Sequence, residues 1–323
     1  MKLGIIGSGK IVKDFLTCAN AITGLELAAI ATTKRSAQVG RELAAKYGIK
    51  AAFSDYRQML MEASVDTVYV ATPSSMHYQM SKDALAAGKN VICEKPFVLT
   101  AAEASELKQI ADARGVMIVE AITNIYLPNF KALKADVQKL GPVHNAIFNY
   151  TQYSSRYDAF LRGEIAPAFD PKLGGGALLD LNVYNVHLAV ALFGEPESLV
   201  YYPNLQKGVD TSGSLHLTYP DKQADLIAAK DADAGFRNQS IISGEKGAVA
   251  FTGSSGELAG YQFIPRGQTP VAKNLNLAPH RMIPEFTEFV RMEAERDFKA
   301  SDQAFAHSLA VLRILEAARK FCL

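Results

Sequence analysis

The stretch Leu3-Gly4-Ile5-Ile6-Gly7-Ser8-Gly9-Lys10-Ile11-Val12 decides the fold. Leu3 to Ile6 is an apolar run too short for a core helix, and it breaks at Gly7-Ser8-Gly9 before an amphipathic stretch opens at Lys10. A strand that turns through two glycines into a helix begins a βαβ unit built for a dinucleotide. Gly7 permits the tight turn, and Gly9 lets the backbone approach a pyrophosphate. That phosphate then rests on the helix N-terminus opened by Ser8, Lys10 and Ile11. Val12 stands where the fingerprint has its third glycine.

The same rhythm continues. Apolar runs at Leu25 to Ala31, Val65 to Ala71, Asn90 to Cys93 and Val116 to Val119 read as strands. Lys10 to Ala21, Ser36 to Tyr47, Met76 to Ala87 and Ala101 to Arg114 read as helices, several closing on a glycine (Gly24, Gly48, Gly88, Gly115). Strand and helix alternating at this spacing predict parallel strands with right-handed crossovers, a doubly wound Rossmann sheet over residues 1–121.

After Ala121 the pattern changes. A helix at Leu127 to Leu140, a strand at Val143 to Tyr153 and an apolar helix at Gly175 to Leu192 precede strand-like runs from Ser198 to Phe263. Turn signals such as Tyr219-Pro220-Asp221 and Gly244-Glu245-Lys246-Gly247 separate those runs, the signature of an antiparallel sheet. Helices at Ile283 to Asp297 and Ser301 to Phe321 close the chain. The expected architecture is α/β: a Rossmann domain over 1–121 and an α+β domain over 122–323, whose last helix could pack back on the first.

Composition narrows the function classes. At 323 residues the chain is too long for one core. Lys plus Arg number 34 and Asp plus Glu 33, so no broad basic face points to nucleic acid or an anionic membrane. No segment reads as a membrane span or a signal peptide, which makes the cytoplasm the default location. Three scattered cysteines (Cys18, Cys93, Cys322) build neither a disulfide framework nor a zinc cage, and no metal site is expected. No Gly-x-Ser-x-Gly elbow marks a serine hydrolase. There is no Trp.

The end of the second strand selects the cofactor. An NAD site usually places Asp or Glu there for the ribose hydroxyls. Here the chain reads Ala31-Thr32-Thr33-Lys34-Arg35-Ser36, with two cations, three hydroxyls and no carboxylate. Lys34 and Arg35 suit a 2′-phosphate, with Thr33 and Ser36 beside them, so NADP(H) is favoured and NAD(H) remains possible.

Two further elements carry chemistry. Val91-Ile92-Cys93-Glu94-Lys95-Pro96 ends the strand at Asn90 to Cys93, and ligands of doubly wound sheets bind at carboxyl ends of strands. A lysine there, partly desolvated or beside a cationic nicotinamide, can serve as general acid or base. In Gly174-Gly175-Gly176-Ala177-Leu178-Leu179-Asp180-Leu181-Asn182-Val183-Tyr184-Asn185-Val186-His187, helical spacing puts Asp180, Tyr184 and His187 on one stripe. Asp180 is the only charge from Gly174 to Gly194, so the helix is expected to be buried with that stripe facing a cavity.

These segments resemble the glucose-fructose oxidoreductase, inositol dehydrogenase and rhizopine-catabolism (Gfo/Idh/MocA) oxidoreductases, a family that includes dihydrodiol dehydrogenases. The resemblance rests on Gly7-x-Gly9, on Val68-Tyr69-Val70-Ala71-Thr72-Pro73 with His77, on Ala87-Gly88-Lys89-Asn90-Val91 running into Glu94-Lys95-Pro96, on the helix from Asp180 to Tyr184, and on His280-Arg281-Met282. It implies hydride transfer between a nicotinamide and a hydroxyl or carbonyl of a sugar, cyclic polyol or dihydrodiol. Lys95 would sit beside the nicotinamide and the substrate oxygen. Tyr184 would donate to or accept from the reacting hydroxyl, and Asp180 would hold substrate and tune Lys95. Thr72, Pro73 and His77 would line the cofactor groove, and Glu94 would orient the nicotinamide ribose. The second domain would carry an open-faced sheet that pairs subunits into dimers or tetramers.

The chain departs from the family at Asn182, often Gly, and at Glu120-Ala121-Ile122-Thr123-Asn124-Ile125-Tyr126, where Trp and Arg are common. Asn124, Arg156 and His187 are therefore candidate substrate contacts. Two rival readings keep the same fold: a dinucleotide-binding regulator without turnover, and a glycosidase that oxidises its substrate transiently with bound dinucleotide.

Overall fold

Six parallel strands in the order β3-β2-β1-β4-β5-β6 form the first sheet. In chain order its elements are β1 (Lys2–Ile6), α1 (Lys10–Cys18), β2 (Glu26–Ala31), α2 (Ala37–Tyr47), β3 (Ala51–Phe53), α3 (Tyr56–Glu62), β4 (Thr67–Val70), α4 (His77–Ala86), β5 (Asn90–Glu94), α5 (Ala101–Arg114) and β6 (Ile118–Ala121). The order reverses between β1 and β4, and in open α/β sheets that switch point is where ligands bind. Strands β1, β4 and β6 are almost wholly buried, as a parallel sheet covered on both faces requires. The pair β3 and α3 escapes the sequence reading because the edge strand is three residues long and only partly buried.

Local chemistry fixes the helix ends. Thr100 accepts from the Glu103 amide while the Glu103 carboxylate accepts from the Thr100 amide, a capping box that starts α5. Gly115, at φ 65°, ends that helix in the left-handed region.

The second sheet has eight strands: β7 (Val143–Thr151), β8 (Ser198–Gln206), β9 (Val209–Thr218), β10 (Gln223–Ala229), β11 (Gln239–Gly244), β12 (Gly247–Thr252), β13 (Tyr261–Pro265) and β14 (Val271–Lys273). Their order is β14-β13-β12-β11-β7-β10-β9-β8. Only β7 and β10 pair in parallel, so the sheet is mostly antiparallel, as its turn signals predict. Before it come α6 (Pro128–Val137) and, after β7, α7 (Tyr157–Leu161). A π turn at Leu178–Asn182 then runs into α8 (Val183–Phe193). Asn182 donates to Leu226 O at 3.0 Å, and Asn185 donates to Ile227 O at 3.0 Å and to Asn182 Oδ1 at 2.8 Å, tying the helix to β10.

The stretch Pro171–Phe193 corrects the expectation that nothing in the chain reaches the length and apolarity of a membrane helix. It meets both, but most of it is buried: Leu181, Val183, Val186 and Leu188 are core residues of this unit.

The chain ends with α9 (Met282–Glu295) and α10 (Phe298–Arg319). This computed structural model describes residues 1–234 and 238–322 and divides into two units. The first comprises Met1–Ala121 and Met282–Leu309, the second Ile122–Arg281 and Ala310–Leu323. Within the first unit Phe286 of α9 stacks 4.3 Å from Phe15 of α1 and meets the Tyr69 ring edge-on at 5.2 Å. Residues 282–309 thus complete the Rossmann core, although they lie far from it in the chain.

Candidate active site

The glycine turn after β1 has a distinct reason for each glycine. Gly7 has φ +125°, and a Cβ there would lie 2.3 Å from Ala71 O at the end of β4. Gly9 has an ordinary φ of −72°, and a Cβ there would meet nothing within 4 Å. The space over Gly9 is open, and α1 begins with no side-chain cap on its amides. Open space against uncapped helix amides suits a pyrophosphate. Gly7→Ala is expected to lower stability by about 1–3 kcal/mol through backbone strain. Gly9→Ala should melt like the parent yet lose dinucleotide affinity; paired thermal melts and NADPH titrations check both.

At the end of β2, Lys34, Arg35 and Ser36 form a short 3-10 turn. Both cations are exposed, and the Thr33 and Ser36 hydroxyls pair at 2.7 Å. The loop holds fixed hydroxyls and two cations, with no carboxylate among residues 31–36.

The ends of β4 and β5 are cross-braced. The Nε2 of His77 lies 2.8 Å from Thr72 O and its Nδ1 lies 3.0 Å from Pro96 O. The ring is 1% exposed, and burial pushes its pKa down against the pull of those carbonyls. The family resemblance implies that His77 lines the cofactor groove; here it is buried and braces the ends of β4 and β5. Thr72 is half-buried and Pro73 exposed. Glu94 is also turned inward: Tyr69 donates to its Oε1 at 2.5 Å, and the Lys95 amide donates to its Oε2 at 3.3 Å. Its carboxylate braces the end of β5. Lys95 itself is half-buried, one residue past the strand, and the next peptide, Lys95–Pro96, is cis. Phe97 donates from its amide to Glu120 at 2.9 Å, fixing the segment on its far side.

In the second unit a π turn interrupts the predicted helix. Asp180 lies in the π turn and Tyr184 in the α-helix that follows, and both are half-buried. His187, three residues beyond Tyr184 in the same helix, is fully buried, so it is not the substrate contact expected of it. Asn124 is 0% exposed and donates to Tyr184 O at 2.9 Å and Ser255 O at 3.2 Å. It is a brace for the Tyr184 helix, not the substrate contact expected of it. Arg156 remains an exposed cation preceding α7. The Tyr184 ring lies between Tyr150, at 5.7 Å, and Gly256, where a Cβ would sit 3.2 Å from the ring.

Two residues that hold this helix were invisible as site residues in sequence. Asp210 of β9 accepts from Leu178 N at 2.7 Å and Tyr201 OH at 2.8 Å, and burial pushes its carboxyl pKa up. A Cβ on Gly176 would lie 2.0 Å from Asp210 Oδ1, which explains the glycine. Lys230, just after β10, donates to Asp180 Oδ2 at 2.8 Å. Like Lys95 it is a lysine at the end of an apolar strand, the one available signal. Among the described residues no group of three His, Cys, Asp or Glu could hold a metal ion.

The profile of an oxidoreductase family with an NAD-binding Rossmann fold matches residues 1–121, and that of the GFO/IDH/MocA C-terminal domain matches residues 132–250. The chain is 34% identical to scyllo-inositol 2-dehydrogenase (NADP(+)) IolU of Bacillus subtilis, over 99% of this chain and 96% of that protein. It is 30% identical to mouse trans-1,2-dihydrobenzene-1,2-diol dehydrogenase, over 76% and 73% of the two chains. Among solved structures, levoglucosan dehydrogenase in complex with NADH and levoglucosan superposes with a TM-score of 0.86 at 18% identity, covering 100% of this chain and 97% of that one. The 3-ketoreductase KijD10 of Actinomadura kijaniata, in complex with NADP and TDP-benzene, superposes with a TM-score of 0.85 at 21% identity, covering 99% and 97%. With both domains matched and a glycine turn shaped for a dinucleotide, the chain belongs to the GFO/IDH/MocA family of oxidoreductases with an NAD-binding Rossmann domain.

Proposed function

We propose that the protein transfers hydride between NADP(H) and a secondary hydroxyl or carbonyl of a cyclic polyol or sugar. The observation that carries this is Lys95, half-buried on the braced carboxyl end of β5, in a unit whose glycine turn is open to a pyrophosphate. The similarity to an NADP(+)-dependent scyllo-inositol 2-dehydrogenase along nearly the whole chain supports the substrate class.

When bound, the nicotinamide supplies or takes the hydride. The chain does the rest. The amides at the start of α1 hold the pyrophosphate, and Lys34 and Arg35 hold the 2′-phosphate. Lys95 exchanges the proton of the reacting oxygen. Asp180 and Tyr184 bind and orient the substrate hydroxyls, and Tyr184 shares in the proton transfer. The protein acts as a homodimer or homotetramer through the second sheet. The exposed Ile147 and Tyr202 on that sheet support such pairing.

Arg35→Ala tests the cofactor preference. One lost charge-assisted contact to phosphate weakens NADPH binding about tenfold and leaves NADH nearly unchanged. Equal losses for both, in parallel titrations, would rule out the 2′-phosphate contact. The substrate class is tested by initial rates on inositols, aldopyranoses and trans-dihydrodiols with each dinucleotide.

A further inference from the structure

Lysine is almost never fully buried without a partner. Lys230 is 1% exposed. Its backbone is locked on both sides: its amide donates to Thr211 O at 2.8 Å, and its carbonyl accepts from Ser154 N at 2.9 Å. Its ammonium donates to Asp180 Oδ2 at 2.8 Å and to Ala168 O, and it lies 4.4 Å from the Phe169 ring centroid. The pair is asymmetric, with side-chain exposures of 1% for Lys230 and 34% for Asp180. The aspartate is thus held from beneath while part of it faces outward. The buried carboxylate of Asp210, which also feels the charge of Lys230, is already engaged by Leu178 N and Tyr201 OH.

A buried ammonium in this place does two things for a half-exposed carboxylate. It favours the ionised form, and it fixes which oxygen turns outward. Asp180 lies in the π turn that precedes α8, and the contact that orients its carboxylate comes from outside that turn, from Lys230 just after β10.

We propose that Lys230 is a positioning residue: it acts through Asp180, holding that carboxylate charged and aimed at a substrate hydroxyl, without touching substrate or cofactor itself. This rests on the role given to Asp180 under the proposed function.

The test is a double-mutant cycle on the full-length protein with K230M, D180N and K230M/D180N. The substrate is whichever of scyllo-inositol, myo-inositol and D-glucose the parent oxidises fastest with NADP+. K230M should lower kcat about tenfold or more while the KM for NADP+ stays within about twofold, because the lysine is assigned no cofactor contact. The double variant should be no slower than D180N. A lysine that only supports the fold would reduce the D180N rate further, and a further tenfold loss would overturn the proposal. So would a K230M protein with the parent's kcat. If K230M alone does not fold, the comparison of K230M/D180N with D180N reads the same coupling, since removing both charges avoids a lone buried ion. The two levels fail separately. D180N at the parent rate, or no turnover of any of the three substrates, would remove the role of Asp180 itself. An impaired D180N beside an unimpaired K230M would remove only that of Lys230.

Discussion

Lys95→Met is expected to abolish most turnover while leaving a folded, dinucleotide-binding protein. The expected loss in kcat is about a thousandfold, within the range a positioned proton donor contributes. Strand β5 is registered against β4 from Thr67↔Asn90 to Val70↔Cys93, and against β6 from Val91↔Ile118 to Glu94↔Ala121. The Glu94 side chain caps the Lys95 amide, His77 abuts the Pro96 carbonyl and Glu120 holds the Phe97 amide. The backbone that carries Lys95 is therefore fixed independently of its ammonium. Removing the ammonium would take away the proposed proton donor while these backbone bonds remain. The midpoint of thermal unfolding should stay near the parent's, since a half-exposed side chain outside the core contributes little to stability. The NADPH dissociation constant should change only a few-fold. A thousandfold loss in kcat with intact binding separates a chemical role from a structural one.

Tyr184→Phe is the second large effect, about a hundredfold in kcat. The substitution keeps the ring, so its packing between Tyr150 and Gly256 survives, and Asn124 still donates to the backbone carbonyl at position 184. Only the hydroxyl is lost. Stability should be unchanged, and the loss should fall on kcat and kcat/KM together, the pattern of an interaction made in the transition state. A variant that raises only the substrate KM would reduce Tyr184 to a binding residue.

Much of this was legible in the chain because backbone-level demands leave strong marks. A glycine required by a positive φ and a carbonyl 2.3 Å from its missing Cβ shows as Gly7, and a helix N-terminus left open shows as Gly9. Strand-helix periodicity shows the Rossmann sheet, and the turn signals between residues 198 and 263 show the antiparallel one. What stayed hidden is the direction of buried polar side chains. His77, Asn124 and His187 have the chemistry of ligand contacts, and nothing in one sequence says that their atoms turn inward. His77 and Asn124 are consumed by carbonyls near in space, one of them (Ser255) more than a hundred positions away in the chain. The π turn at Leu178–Asn182 was equally invisible, since its apolar spacing fits an ordinary helix. Lys230 and Asp210 arrive from β10 and β9, and only the strand pairing brings them under the helix.

The central claim is an NADP(H)-dependent hydride transfer that requires Lys95. Its most direct measurement is the rate of change in nicotinamide absorbance for parent and Lys95→Met proteins, with scyllo-inositol and related cyclic polyols and sugars, under NADP+ and NAD+ in turn. The account predicts turnover by the parent, a kcat/KM at least about tenfold higher with NADP+ than with NAD+, and near-complete loss in the variant. Turnover undiminished in Lys95→Met would contradict it, and so would a parent that binds NADPH but transfers no hydride to any of these substrates.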